Sequence, residues 1–339
     1  MSLLKSNGVL ILSSRVIALF LLLILFSSFC VLYSLTSGSV DIGLARVVEI
    51  ILGDNEGMQG KVIMELRLPR VLSGFLVGGM LALAGALMQV LLKNPLAEPY
   101  VLGVSGGASV CALLAMMAGI AGAWLNIAAF VGALFSILLV FGLARLGGSW
   151  NPLRVLLTGI VVASGWGALV SFLLAVSPAT QIHGMLFWLM GDLEYARNFK
   201  LGLAVLFCGF VISMLIARGL NLMARGDKQA AALGVSVDHL RYVVYFLASM
   251  LTATAVMQAG NIGFIGLIVP HLVRLLLGSD HRVLIPVSIL LGGSLLVIAD
   301  TLARTIIAPQ QLPVGVLTAM IGVPLFLFLL QTTMLKSRS

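Results

Sequence analysis

Long apolar runs separated by short polar loops dominate the chain. Ten such runs cover roughly 16–35, 69–91, 99–119, 124–145, 153–176, 198–217, 241–259, 263–278, 284–303 and 312–334. A run of about 20 apolar residues is long enough to cross a bilayer as a helix. Backbone in lipid must satisfy its own hydrogen bonds, so helices are the expected spanning form. The pattern predicts an all-α polytopic membrane protein of about ten transmembrane helices, one domain over residues 1–339. Pro270 inside the eighth run predicts a bend. The first run follows Lys5 and Arg15. It is too long for a signal-peptide core and no small-x-small cleavage site precedes Asp41, so it is read as a retained first helix.

The longest charged interruption, residues 218–241, falls between runs six and seven. It predicts two short helices. Asp227 stands at the start of the first, where the helix dipole favours an anion. Gly234 ends it in a left-handed conformation, and Ser236 caps the second. A folded elbow outside the lipid reads as a handle for another protein. An even number of spans puts both termini on one side. With those termini in the cytoplasm, the inner loops take Lys5, Arg15, Lys93, Arg145, Arg154, Arg218, Arg225, Lys228, Arg241, Arg274, Arg282, Lys336 and Arg338. The outer loops take only Arg46, Lys61, Arg67, Arg70, Arg197, Lys200 and Arg304. The positive-inside rule thus places the insert in the cytoplasm.

Composition agrees: 60% of residues are hydrophobic and 9% charged, against about a quarter charged in soluble domains. The net charge of +8 then records orientation, not a nucleic-acid footprint. Cys30, Cys111 and Cys208 fall in different apolar runs and read as packed thiols. Gly74 and Gly78 form a small-xxx-small pair suited to close helix packing. Met88-Gln89 and Met257-Gln258 echo each other, as do the stretches beginning at Pro152 and Pro313. Runs 2–5 and 7–10 would then be repeats of inverted topology, a common transporter plan.

Catalytic signatures find no support. Gly103-Val-Ser105-Gly-Gly107 fits a nucleophile pattern but opens a membrane helix, where glycines for close approach are the better account. Gly60-Lys61 lacks the rest of a P-loop, so ATP hydrolysis by that route is excluded. Few ionisable residues fall inside the runs, which argues against ion coupling and leaves energy input to a partner. Asp300 and Arg304 are spaced to pair across one turn, and Arg274 is placed to snorkel. His271, beside Pro270, reads as an imidazole bonded to a backbone carbonyl, because no second ligand falls at metal spacing. No metal or cofactor is expected. Arg67, Arg70 and Arg304 stand exposed on the outer side against the charge bias, as a docking patch would.

Leu66-Arg-Leu-Pro-Arg70, Lys93-Asn-Pro-Leu-Ala-Glu-Pro99, Leu102-Gly-Val-Ser-Gly-Gly107, Gly260-Asn-Ile-Gly-Phe-Ile-Gly-Leu-Ile-Val-Pro-His271, Ala299-Asp-Thr-Leu-Ala-Arg304 and Leu312-Pro-Val-Gly-Val-Leu-Thr resemble, in order, the motifs of FecCD-type permeases. Those proteins are the membrane subunits of type II ABC importers for iron–siderophore complexes, haem and vitamin B12. The resemblance implies a ten-helix permease in the bacterial inner membrane, working with a second protomer, two cytoplasmic ATPase subunits and a periplasmic binding protein, in contact with lipid and without nucleic acid. The coupling element would be Arg225, Gly226, Asp227, Lys228, Gln229, Ala230, Ala231, Ala232, Leu233 and Gly234; the family commonly carries Glu where Lys228 or Gln229 stands. Arg67, Arg70 and Arg304 would receive the acidic residues of the binding protein. Ser149, Trp150, Asn151 and Pro152 resemble the segment that narrows the inner mouth, and span 5 would line the path. Two alternatives are a carrier or channel needing no ATPase, and a membrane hydrolase using Ser105.

Overall fold

The structure is a computed structural model that describes residues 5–6, 9–10, 14–38, 41–54, 56–146, 151–196 and 199–336. Apart from a two-residue antiparallel pairing of Lys5–Ser6 with Val9–Leu10, these residues form helices and loops. In chain order the helices are α1 (Ser14–Thr36), α2 (Leu44–Ile51), α3 (Gly57–Lys61), α4 (Leu68–Leu91), α5 (Val104–Met117), α6 (Ala123–Arg145), α7 (Pro152–Val176), α8 (Ala179–Met190), α9 (Phe199–Met223), α10 (Asp227–Ala232), α11 (Val237–Ala259), α12 (Ile265–Leu277), α13 (His281–Thr305) and α14 (Val314–Lys336). A π-helical stretch, Val62–Arg67, joins α3 to α4 without a break. Each of the ten apolar runs has its helix. Among the described residues seven helices are long and apolar enough to cross a membrane, and the chain is a multi-pass membrane protein.

The central element is α4. It is apolar on every side, and such a helix needs protein on every side. Most of its side chains from Val71 to Leu91 are buried against α9, α11, α12 and α13. Small residues let those backbones come close. A side chain at Gly78 would stand 2.8 Å from the carbonyl carbon of Gly292 on α13, and one at Gly85 would overlap the backbone of Gly266 on α12. Of the Gly74–Gly78 pair, Gly78 makes the close helix crossing, while Gly74 faces the side chains of Leu193 and Val297.

Full crossing by all ten runs is not what forms. Helices α5 and α12 have 14 and 13 residues. At 1.5 Å per residue each spans only about 20 Å, short of a hydrocarbon core of about 30 Å. Each begins half-way through the fold, after a residue in the left-handed region: Gly103 (φ 69°) and Phe264 (φ 71°). Gly103 lies against Ser136 and Ala163, near the midpoints of α6 and α7. Gly266, just inside α12, lies against Leu81 on α4. In one half, α4 crosses and the chain returns to mid-depth to start α5. In the other, α11 crosses the opposite way and the chain returns to start α12. Helices α4 and α11 thus run antiparallel, the relation an inverted repeat would require, and helices that start at mid-depth are a transporter device.

Two boundaries, one helix and one thiol differ from the sequence reading. Helix α9 continues to Met223 and α11 starts at Val237, so the insert narrows to residues 224–236. Helix α8 was not anticipated, although Pro178 before it and Gly191 after it (φ 80°) are the punctuation of a helix. The thiols are free, and Cys30 is packed, but Cys208 is exposed on α9.

Candidate functional site

Two constellations stand at opposite ends of α4. At the end of α4 that leads to Lys93, the insert forms one short helix, α10, and not the two expected: beyond Gly234 the chain enters the 23-residue α11 directly. Gly226 (φ 130°) breaks the chain before α10, and Gly234 (φ 82°) ends it. The terminus is a Schellman motif: Val235 N donates to Ala230 O and Gly234 N to Ala231 O, both at 3.0 Å. Ser236 does occupy the N-cap position of α11, but its side chain makes no capping bond. Asp227, at the first position of α10, accepts from Arg241 Nη2 at 2.6 Å and from Lys93 Nζ. Arg241 also reaches Asp238 at 2.9 Å. These ion pairs tie α10 to the foot of α4 and to α11. Ala230 faces inward with no exposure, while Leu233 is 67% exposed and Arg225, Lys228 and Gln229 are exposed. A bare leucine ringed by polar side chains on a braced short helix suits a protein partner.

The other end holds the three arginines, which do not stand exposed: Arg67 is buried and Arg70 and Arg304 are half-buried. Arg67, 6% exposed, donates through Nη1 to the carbonyls of Leu35 (2.8 Å) and Thr36 (3.1 Å), capping the last turn of α1. Arg70 is held by Asp300 (2.8 Å) and Asp192 (3.3 Å). Arg304 donates to Asp300 (3.0 Å), the pairing its spacing predicts, and to Ser34 (3.0 Å). The three side chains nonetheless line one cavity of about 340 Å³, together with Glu65, Glu194 and Gln311. Burial holds the Asp192 carboxyl above the usual carboxylate range, against the pull of Arg70. Sequence reasoning missed Asp192 altogether. It lies in a loop 122 positions from Arg70, and only the tertiary fold brings the two together.

The chain matches the FecCD transport family across residues 20–332. It belongs to that family. Among its relatives are the cobalamin import system permease protein BtuC of Halobacterium salinarum and the Fe(3+) dicitrate transport system permease protein FecD of Escherichia coli. The first is 42% identical over 80% of this chain and 73% of its own length. The second is 41% identical over 79% of this chain and 85% of its own. A solved structure described as an inward-facing metal-chelate type ABC transporter superposes with a TM-score of 0.82 at 31% identity, covering 93% of this chain and 99% of its own.

Within this FecCD fold the remaining candidates sort by geometry. Ser105 follows a 3₁₀ turn, Pro99–Leu102, rather than a strand, so the strand–turn–helix of a nucleophile elbow is not formed. Its glycines serve close packing: a side chain at Gly106 would meet Trp166 Cβ at 2.6 Å, and one at Gly107 would meet Ser136 Cβ at 2.7 Å. Ser149 and Trp150 of the inner-mouth segment lie outside the described residues, as do Arg197 and Arg338. Asn151 caps α7, accepting from Leu153 N at 2.9 Å, and Pro152 holds the first helical position. His271 does not bond a carbonyl through Nε2, which is buried without a partner. Arg274 does not snorkel; it turns inward and donates to Gln89 Oε1.

Proposed function

We propose that this chain is the membrane permease subunit of an ATP-driven importer that carries an iron–siderophore, haem or cobalamin-type chelate from periplasm to cytoplasm. It sits in the bacterial inner membrane with both termini and the elbow in the cytoplasm. Two permease protomers form the path at their interface. Two ATPase subunits grip residues 225–234, and a binding protein docks over the cavity at Arg67, Arg70 and Arg304. Support comes from the family, from relatives named as permeases for cobalamin and iron dicitrate, and from the charge bias of the loops.

The observation that carries the reading is the path of α4. One end bears the arginine cavity, and the other is bonded through Lys93 to Asp227 in the elbow. A helix of 24 residues is about 36 Å long, and its close crossings with α12 and α13 make it stiff. Closure of the motor beneath the elbow is thereby transmitted to the far side, and α7 and α14 tilt to open the path alternately. The chain performs no chemistry; its partners hydrolyse ATP.

Reconstitution tests this. Proteoliposomes holding the permease, its ATPases and its binding protein should accumulate chelate only with ATP. Uphill uptake by the permease alone, without nucleotide, would refute the proposal. Charge reversal at Arg70 and Arg304 should abolish capture of the binding protein while ATPase assembly persists. Each reversal also breaks a native bond, Arg67 to the end of α1 and Arg70 and Arg304 to Asp300, so loss of capture counts only in a variant that still assembles with the ATPases.

A further inference from the structure

A second cavity, of about 400 Å³, lies at the elbow end between α4, α9, α12 and α13. Lys93, Arg225, Arg274 and His281 line it, and no carboxylate does. Two acids stand nearby, and each is engaged through one oxygen, Asp227 Oδ1 being left without a partner. Asp227 holds Lys93 and Arg241, and Asp280 accepts from Asn221 and from the Arg282 backbone. Arg225 has no side-chain partner among the described residues.

Arg274 is the informative group. It is half-buried, and among the described residues its one hydrogen-bond partner is the neutral amide of Gln89. That amide is itself committed, donating to the carbonyls of Gly266 (3.4 Å) and Leu267 (3.2 Å). Pro270 explains the commitment: it has no N–H for Gly266 O four residues earlier. A guanidinium taken partly out of water without a counter-charge is costly. Beside it are two imidazoles with unpartnered, buried Nε2 atoms, His271 one turn earlier on α12 and His281 at the start of α13. Asn221 Oδ1, which can only accept, lies 2.7 Å from His281 Nδ1 and fixes that nitrogen as the donor. Nε2 of His281 is then an acceptor, open to a water or an acid O–H, and the three cations, one of them a planar guanidinium fork with free donors, describe a site that lacks its anion.

We propose that this cavity binds a phosphate-type oxyanion, as free inorganic phosphate or as the phosphate of an anionic lipid headgroup. Basic pockets between membrane helices on the cytoplasmic side take such headgroups. The anion would complete the charge set of Arg274 and Arg225 beside the Lys93–Asp227 pair, and so stiffen the joint between elbow and α4. The source of the anion rests on the cytoplasmic placement of the elbow; binding itself does not, and it is read without ATPase or transport.

The full chain, purified in detergent, is titrated with inorganic phosphate against chloride of equal ionic strength. It is also recovered from phosphatidylcholine discs with and without phosphatidylglycerol, and retained lipid is weighed by native mass spectrometry. One phosphate or one phosphatidylglycerol per chain is expected. Arg274→Gln and Arg225→Gln should each weaken binding about tenfold or more, the loss of one charge-assisted bond; Arg282→Gln should not. Arg225 is exposed, so its variant remains informative if Arg274→Gln fails to fold. Phosphate that displaces retained phosphatidylglycerol supports one shared site. Phosphatidylglycerol retained without phosphate binding identifies lipid as the source, and the reverse identifies the free ion. Neither ligand bound, or binding unchanged in both arginine variants, overturns the proposal.

Discussion

Gly234→Val isolates the shape of the elbow from its chemistry. Gly234 has φ 82°, and an added Cβ would meet nothing within 4 Å. The substitution therefore creates no clash, only the backbone cost of a left-handed residue. That cost is about 1–2 kcal/mol, toward the upper end for a β-branched side chain. It falls on the two bonds that end α10, Val235 N to Ala230 O and Gly234 N to Ala231 O. Helix α10 has six residues, too few to persist on its own. A penalty of 1–2 kcal/mol lowers the population of the folded elbow about five- to thirtyfold relative to its open forms. Gly234→Asn should behave almost as wild type, because asparagine tolerates that region. The assay is chelate imported per ATP hydrolysed in proteoliposomes of the assembled transporter. Gly234→Val should hydrolyse ATP with reduced import, and its melting temperature should hold, since the residue lies outside the packed core. Import per ATP equal to wild type in Gly234→Val would refute a conformational role for the elbow.

Asp300→Asn should be far more damaging. Asp300 is 2% exposed and neutralises both Arg70 and Arg304; its loss leaves Arg70 to Asp192 alone and Arg304, half-buried, without a counter-charge, at about 3 kcal/mol; thermal melting in detergent reads the cost, and a change below about 1 kcal/mol would contradict it. Gly85→Ala would push α4 off the Gly266 backbone and should cost about 1–3 kcal/mol as overpacking. Gly142→Ala, with open space around its Cβ, should be neutral or stabilising by about 0.5–1 kcal/mol, as a helical alanine is; equal melting temperatures for the two would dismiss the close-crossing account. Asp227→Asn should loosen the elbow by about 1 kcal/mol, mostly through Arg241, because the Lys93 partner is too exposed to add much. That loss should shrink as salt rises, and import per ATP measured at low and high ionic strength checks it.

Local signals in the sequence carried local structure. Hydropathy located every long helix, Gly234 marked the end of α10, and the four-residue spacing of Asp300 and Arg304 produced the ion pair. Depth was not legible. A hydropathy window cannot tell an apolar residue in a crossing helix from one in a chain returning to mid-depth, so it reads α5 and α12 as full spans. Exposure was not legible either. Whether Arg70 is free depends on Asp192 and Asp300, which lie 122 and 230 positions away. The Schellman end of α10 needs only residues 230–235 and could be foreseen. The missing cap at Ser236 depends on how α11 leaves the elbow, which the sequence does not encode locally.

The mid-depth junction constrains how the two halves can move. Irregular backbone at that depth is tolerated only where protein satisfies it. Two of its amides are satisfied across the repeats: Ile262 N donates to Tyr100 Oη at 3.2 Å, and Phe264 N donates to Glu98 Oε1 at 2.9 Å. Side chains of the first half thus complete the entry to α12 in the second. Sliding the halves apart there would strand those N–H groups at about 1–3 kcal/mol each, before any loss from the glycine contacts of α4 with α12 and α13. The centre should therefore move as one body. Motion beyond that body is rocking of α7 and α14 about their contacts with the junction, where Gly159 faces Val101 and Gly322 faces Phe264, and bending of the elbow at its end. A protomer built this way can be rocked from one end without coming apart in the middle, which is what a subunit driven by an external motor requires.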